Sequence, residues 1–116
     1  MSWKIERLSQ LIKEEIGRMI ESELVDPRLG FVSITQVKLS GDLKQAVVYF
    51  SVLGQEEAWQ DSLRALESAR GYIKSGLARH LKLRSIPEII FQEDDTLIKG
   101  ARIIELIEKE RKKRVK

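Results

Sequence analysis

Apolar residues recur at helical spacing over the first quarter of the chain. Ile5, Leu8, Leu11, Ile12, Ile16, Met19, Ile20 and Leu24 form one face, with charged residues between them. This predicts a helix from Ile5 to Val25. Asp26-Pro27 stops it, because a residue before proline is pushed out of the helical region. Phe31 to Leu39 is rich in β-branched and aromatic residues and predicts a strand. Its alternation slips: Val32 and Ile34 share one parity, Val37 and Leu39 the other, so a bulge is expected near Thr35-Gln36. Ser40-Gly41-Asp42-Leu43 reads as a turn. In the second strand, Lys44 to Leu53, Ala46, Val48, Phe50 and Val52 fall on one side. The short connection predicts an antiparallel hairpin.

From Gln55 to Leu83 the pattern is helical again, with Leu63, Leu66, Ile73, Leu77 and Leu81 on one stripe. Ala69 and Gly71 interrupt it with almost no side chain. A glycine inside a helix costs about 1 kcal/mol relative to alanine. That cost points to a kink or to a close backbone approach. Ile86-Pro87 ends the stretch. Glu88 to Gln92 predicts a third strand. A final helix follows, capped by Asp94, Asp95 or Thr96 and carrying Leu97, Ile98, Ile103, Ile104, Leu106 and Ile107. The order is α-β-β-α-α-β plus a C-terminal helix, an α+β class. Three strands make a small sheet, so the helices must cover one face of it. The expected organisation is one domain over residues 1–108 and a basic, flexible tail over 109–116.

Charge changes this picture. The 116 residues carry a formal net charge of only +3, but unevenly. Ala69 to Pro87 holds five Lys/Arg (Arg70, Lys74, Arg79, Lys82, Arg84) and no acid. Lys109 to Lys116 holds six bases and one Glu, while Glu88 to Asp95 holds four acids and no base. Basic segments of this kind favour a polyanionic partner. The absence of cysteine removes disulfides, thiolate metal sites and cysteine nucleophiles. The N-terminus lacks the features of a signal peptide, and no apolar run approaches a membrane span, so a cytoplasmic protein with no membrane association is expected.

Catalytic chemistry finds little support. The single histidine, His80, sits among bases; a Ser-His-Asp set with Ser75 or Ser85 would lack a nearby orienting carboxylate. Glu93, Asp94 and Asp95 could hold Mg²⁺, but read better as acids at a helix N-terminus. No phosphate-cradling glycine loop occurs. Neither enzyme activity, nor a cofactor, nor a metal is expected. The element order is instead that of a KH domain of the second topological type. Such domains clamp single-stranded nucleic acid with a GXXG loop between two helices. No GXXG is present; the corresponding junction reads Ala69-Arg70-Gly71. From the residues alone, two explanations of it stay open. The small side chains let the helix pack on the sheet, or they let a phosphate approach the backbone.

The chain resembles the bacterial ribosome-binding factor A family. The resemblance rests on Arg7 to Lys13 with Glu15-Ile16, on Asp26-Pro27-Arg28-Leu29-Gly30-Phe31-Val32-Ser33-Ile34-Thr35, and on Val47, Tyr49, Phe50, Ser51 and Val52. It continues through Leu66 to Lys74, Leu81 to Ile89, and Phe91 with Asp94-Asp95-Thr96. It implies a type II KH-like fold in which an Ala-x-Gly kink, Ala69-Arg70-Gly71 here, replaces GXXG. It implies a non-enzymatic assembly factor, acting as a monomer, that binds the small (30S) ribosomal subunit and its 16S rRNA late in maturation. Assistance to 5′-end processing of that RNA, support of growth in the cold, and release by a GTPase partner are further implications. Ala69, Arg70, Gly71, Lys74, Arg79, Lys82 and Arg84 are then the expected RNA contacts. Lys109, Arg111, Lys112, Lys113 and Arg114 would add diffuse attraction. Rival readings are a KH-like module that binds ribosomal proteins, or one that binds other nucleic acid.

Overall fold

The computed structural model describes residues 2–54, 56–94 and 107. Helix α1 spans Ser2–Ser22, strands β1 and β2 span Phe31–Leu39 and Gln45–Leu53, helices α2 and α3 span Glu56–Ser68 and Arg70–Leu81, and strand β3 spans Glu88–Glu93. The expected final helix, apart from an exposed helical Ile107, and the basic tail lie outside the described residues.

Helix α1 stops earlier than the apolar pattern suggested. The N–H groups of Glu23 and Leu24 both donate to the Met19 carbonyl, closing the last turn. Asp26 then folds its carboxylate back onto the Arg28 N–H at 2.9 Å, an Asx turn that competes with helix. The hairpin forms as expected, with Phe31 opposite Leu53 and Leu39 opposite Ala46, and the register shifts between Ile34 and Gln36. The extra residue is Thr35. Its hydroxyl donates to the Asp94 carboxylate at 2.5 Å, so the bulge is tied to the end of β3. Asp94, read as a helix cap, thus has a partner inside the sheet.

The sheet order is β1-β2-β3, and β3 runs parallel to β2, with Gln45 beside Glu88 and Phe50 beside Glu93. A parallel pair needs a long crossover, and α2 with α3 supplies it. The described helices all cover one face. Ile12, Ile16, Met19 and Ile20 of α1, Leu66 of α2, and Ile73 and Leu77 of α3 bury themselves against Val37, Ala46, Val48, Phe50, Ile89 and Phe91. Leu11, placed on the α1 apolar face by its spacing, is exposed instead. Trp59 stacks on Phe50 with ring centroids 6.1 Å apart, fixing α2 on β2. The hydroxyl of Ser62, fully buried on α2, accepts the Gly30 N–H at 3.0 Å and holds the start of β1.

Candidate nucleic-acid interface

The junction between α2 and α3 is a single residue. Ala69 donates its N–H to both Ala65 O and Leu66 O, at 3.0 and 3.1 Å, closing α2. Its own carbonyl accepts the Ile73 N–H at 2.9 Å, opening α3. Its φ of −88° and ψ of 0° lie in the sparsely occupied bridge region, where the helix path turns. No side chain caps α3. The first N–H groups of that helix, including that of Gly71, therefore receive no capping hydrogen bond from Ala69.

Gly71 is exposed, and a Cβ added there would meet nothing within 4 Å. Its φ is not positive. Neither packing nor backbone conformation within the described residues requires a glycine at this position. Of the two explanations open from the sequence, tight packing on the sheet fails for Gly71. The close packing is made one turn later. A Cβ at Gly76 would collide with the Sδ of Met19, so it is Gly76 that brings α3 against α1.

The basic residues separate into two groups. Arg70 pairs with Glu67 across one turn, and its guanidinium lies 6.0 Å from the centroid of the Phe91 ring. Lys74 Nζ lies 3.5 Å from Glu88 Oε2. Both are therefore partly neutralised. Arg79, Lys82 and Arg84 are exposed, and no ion-pair partner occurs for them among the described residues. Lys82 ends α3 in the left-handed region, with φ 52° and ψ 41°. A non-glycine residue in that conformation costs roughly 1 kcal/mol. The αL turn sends the chain off the helix end with Arg84 two residues on. The tail bases Lys109, Arg111, Lys112, Lys113 and Arg114 lie outside the described residues.

A second polar cluster joins α3 to α1 and was not legible in the sequence. His80, expected without a nearby acid, receives one from α1: its Nδ1 lies 2.7 Å from Glu15 Oε1. Arg18 reaches Glu15 at 2.5 Å and Glu23 at 2.8 Å. The Tyr72 hydroxyl donates to Glu23 at 2.5 Å. The Arg18 hydrogen bond holds the Glu15 carboxyl below its usual pKa. The Tyr72 hydrogen bond does the same for Glu23, and in return the Tyr72 hydroxyl is pushed up. These side chains link α3 to α1 at the surface, above the buried contact of Gly76 with Met19. Among the described residues, no group of three or more acidic or histidine side chains could hold a metal ion. No described helix is long and apolar enough to cross a membrane.

Three helices on one face of a β1-β2-β3 sheet, with a one-residue bend between α2 and α3, define an α+β domain of the KH-like type. The sequence pattern of the ribosome-binding factor A family matches residues 4–107. The chain belongs to that family. It is 50% identical over 107 residues to ribosome-binding factor A of Carboxydothermus hydrogenoformans, covering 92% of this chain and 86% of the relative. The relative from Natranaerobius thermophilus is 44% identical over 102 residues, covering 88% and 78%. The crystal structure of the Thermus thermophilus protein superposes with a TM-score of 0.69 at 29% identity, covering 77% of this chain and 93% of that one. A homology model of the Thermus protein, fitted into a cryo-electron microscopy map of its complex with the 30S subunit, superposes with a TM-score of 0.65. Its identity is 30%, and it covers 78% and 94%.

Proposed function

We propose that this chain is a non-enzymatic cytoplasmic assembly factor that binds the small ribosomal subunit through 16S rRNA. One observation carries the reading: a family member of the same fold occupies the 30S subunit. The kink at Ala69-Arg70-Gly71 lets an RNA backbone approach α3 where Gly71 leaves the surface bare. Arg79, Lys82 and Arg84 hold phosphates beyond it. Arg70 and Lys74 join once RNA displaces Glu67 and Glu88, and the bases at 109, 111, 112, 113 and 114 add longer-range attraction. The contacts go to phosphates, so they position the protein without reading bases. Binding late in maturation would assist 5′-end processing of the RNA and growth in the cold, with the protein acting as a monomer and a GTPase acting in its release.

Co-sedimentation with immature and mature small subunits tests this. Immature particles retain the protein, and the variant Lys82→Glu/Arg84→Glu is lost from them with its fold intact. Crosslinking on the particle that gives only protein adducts would favour a ribosomal-protein-binding module instead. Equal affinity for duplex DNA and rRNA fragments would point to general nucleic-acid binding.

A further inference from the structure

Strand β1 is an edge of the sheet: β2 pairs with one side of it, and among the described residues nothing pairs with the other. Exposed edges are usually blunted by bulges, charges or proline. The second half of β1 has such protection, with the bulge at Thr35 and a charge at Lys38. The first half, Phe31-Val32-Ser33-Ile34, has neither a charge nor a proline. At its start Phe31 is 81% exposed beside its cross-strand partner Leu53, 78% exposed.

A groove runs between this edge and α1. Its middle stretch, about 450 Å³, is bounded on one side by the consecutive strand residues Val32, Ser33 and Ile34. The opposite wall contains Gly17. Gly17 lies inside a 21-residue helix, and a Cβ there would meet nothing within 4 Å. It costs helix stability without serving an internal contact among the described residues. It leaves a notch in the wall directly across from the unprotected edge. Glu14 and Glu21 stand on the lip beside Lys13, while Arg18 is engaged by Glu15 and Glu23. With Arg18 so engaged, the lip carries two acids against one unpaired base, whereas the far end of α3 carries bases alone.

We propose that this groove receives an extended segment of a partner protein, which adds to Phe31–Ile34 as a further strand and passes the notch at Gly17. Main-chain hydrogen bonds would hold it, as in peptide recognition between an edge strand and a helix. An apolar side chain would rest on Phe31 and Leu53, and the segment would be net cationic to match Glu14 and Glu21. An RNA strand fits neither the acidic lip nor a row of unpaired backbone N–H and C=O groups. The site is separate from the α3 bases, so it stands or falls independently of the rRNA reading.

The test uses the full chain and an acetylated, amidated heptapeptide of alternating lysine and valine. Amide NMR shifts and hydrogen exchange map its site. Expected are perturbations confined to residues 31–34, Leu53 and the α1 residues around Gly17, with slowed exchange of the outward amides of β1. Gly17→Leu should weaken the peptide at least tenfold while leaving the melting temperature unchanged or higher. The mapping in the unaltered protein stands whatever that variant does. The proposal is overturned by no perturbation at millimolar peptide, by equal binding of a lysine-proline peptide of the same charge, or by a uridine oligonucleotide perturbing these β1 amides. Protection of the same amides by a second copy of the chain, appearing without peptide as concentration rises, would also overturn it.

Discussion

The division of the α3 bases into paired and unpaired groups has a measurable consequence for salt dependence. Each phosphate neutralised on single-stranded RNA contributes about 0.7 to the slope of log affinity against log salt. Five independent contacts from Arg70, Lys74, Arg79, Lys82 and Arg84 would give a slope of roughly −3.5. Glu67 and Glu88 already partly neutralise Arg70 and Lys74, however. A cation that exchanges a carboxylate for a phosphate releases few ions. Arg79, Lys82 and Arg84 alone give roughly −2. Differences between variants remove the common contribution of the basic tail. Lys82→Gln/Arg84→Gln should flatten the slope by about 1.4. Between roughly 50 and 200 mM KCl this variant should lose about sevenfold less affinity than the parent. Glu67→Gln/Glu88→Gln should steepen the slope by up to about 1.4, because it frees two cations. The assay is a binding titration of labelled protein against purified small subunits at constant Mg²⁺. An unchanged slope in Lys82→Gln/Arg84→Gln would refute the assignment of phosphates to this end of α3. An unchanged slope in Glu67→Gln/Glu88→Gln would refute the claim that those acids compete with RNA.

Three further outcomes are expected. Gly71→Ala should stabilise the protein by about 0.5–1 kcal/mol, a few degrees in melting temperature, because its Cβ enters open space on a helix; weaker subunit binding by this more stable variant would show that RNA backbone approaches the kink, and unchanged binding would show that it does not. Gly76→Ala should destabilise by about 1–3 kcal/mol in a denaturant titration, since the fully buried Met19 thioether must shift to admit the new Cβ; in a Met19→Ala background the same change should cost at least 1 kcal/mol less, and additive costs would exclude that contact. The Arg28 side chain, with the Arg28 N–H, lowers Asp26 from an ordinary 3.8 to about 2; because its folded value is the lower one, its stabilisation is full above about pH 4 and fades as pH falls toward 2, so urea midpoints of the parent and Asp26→Asn should converge over that window.

The two helix glycines of α3 show why part of the site could be read from sequence and part could not. Periodicity assigns the same propensity cost to Gly71 and Gly76 and does not distinguish their causes. Gly71 stood out because it lies beside Ala69 in a gap of the apolar stripe, and the junction it marked is where the chain bends. The hairpin, the bulge at Thr35 and the inward set Ala46, Val48 and Phe50 were legible for a similar reason: strand alternation is local, and one slip of parity shows itself within nine residues. Contacts between distant elements have no such local trace. Met19 meets Gly76, Glu15 meets His80 and Glu23 meets Tyr72 only because α1 and α3 lie side by side on the sheet. The charge pattern failed at its own edges. The acid-free window from Ala69 to Pro87 ends one residue before Glu88 and begins two residues after Glu67, and these flanking acids take two of its five bases. What survives among the described residues is narrower than the sequence suggested: a bare glycine at the bend that no described contact uses, and three exposed cations without an ion-pair partner at and just past the far end of α3. A glycine that no described contact uses marks where an outside backbone could come closest to α3, and the exposed bases on and just past that helix favour a partner of negative charge.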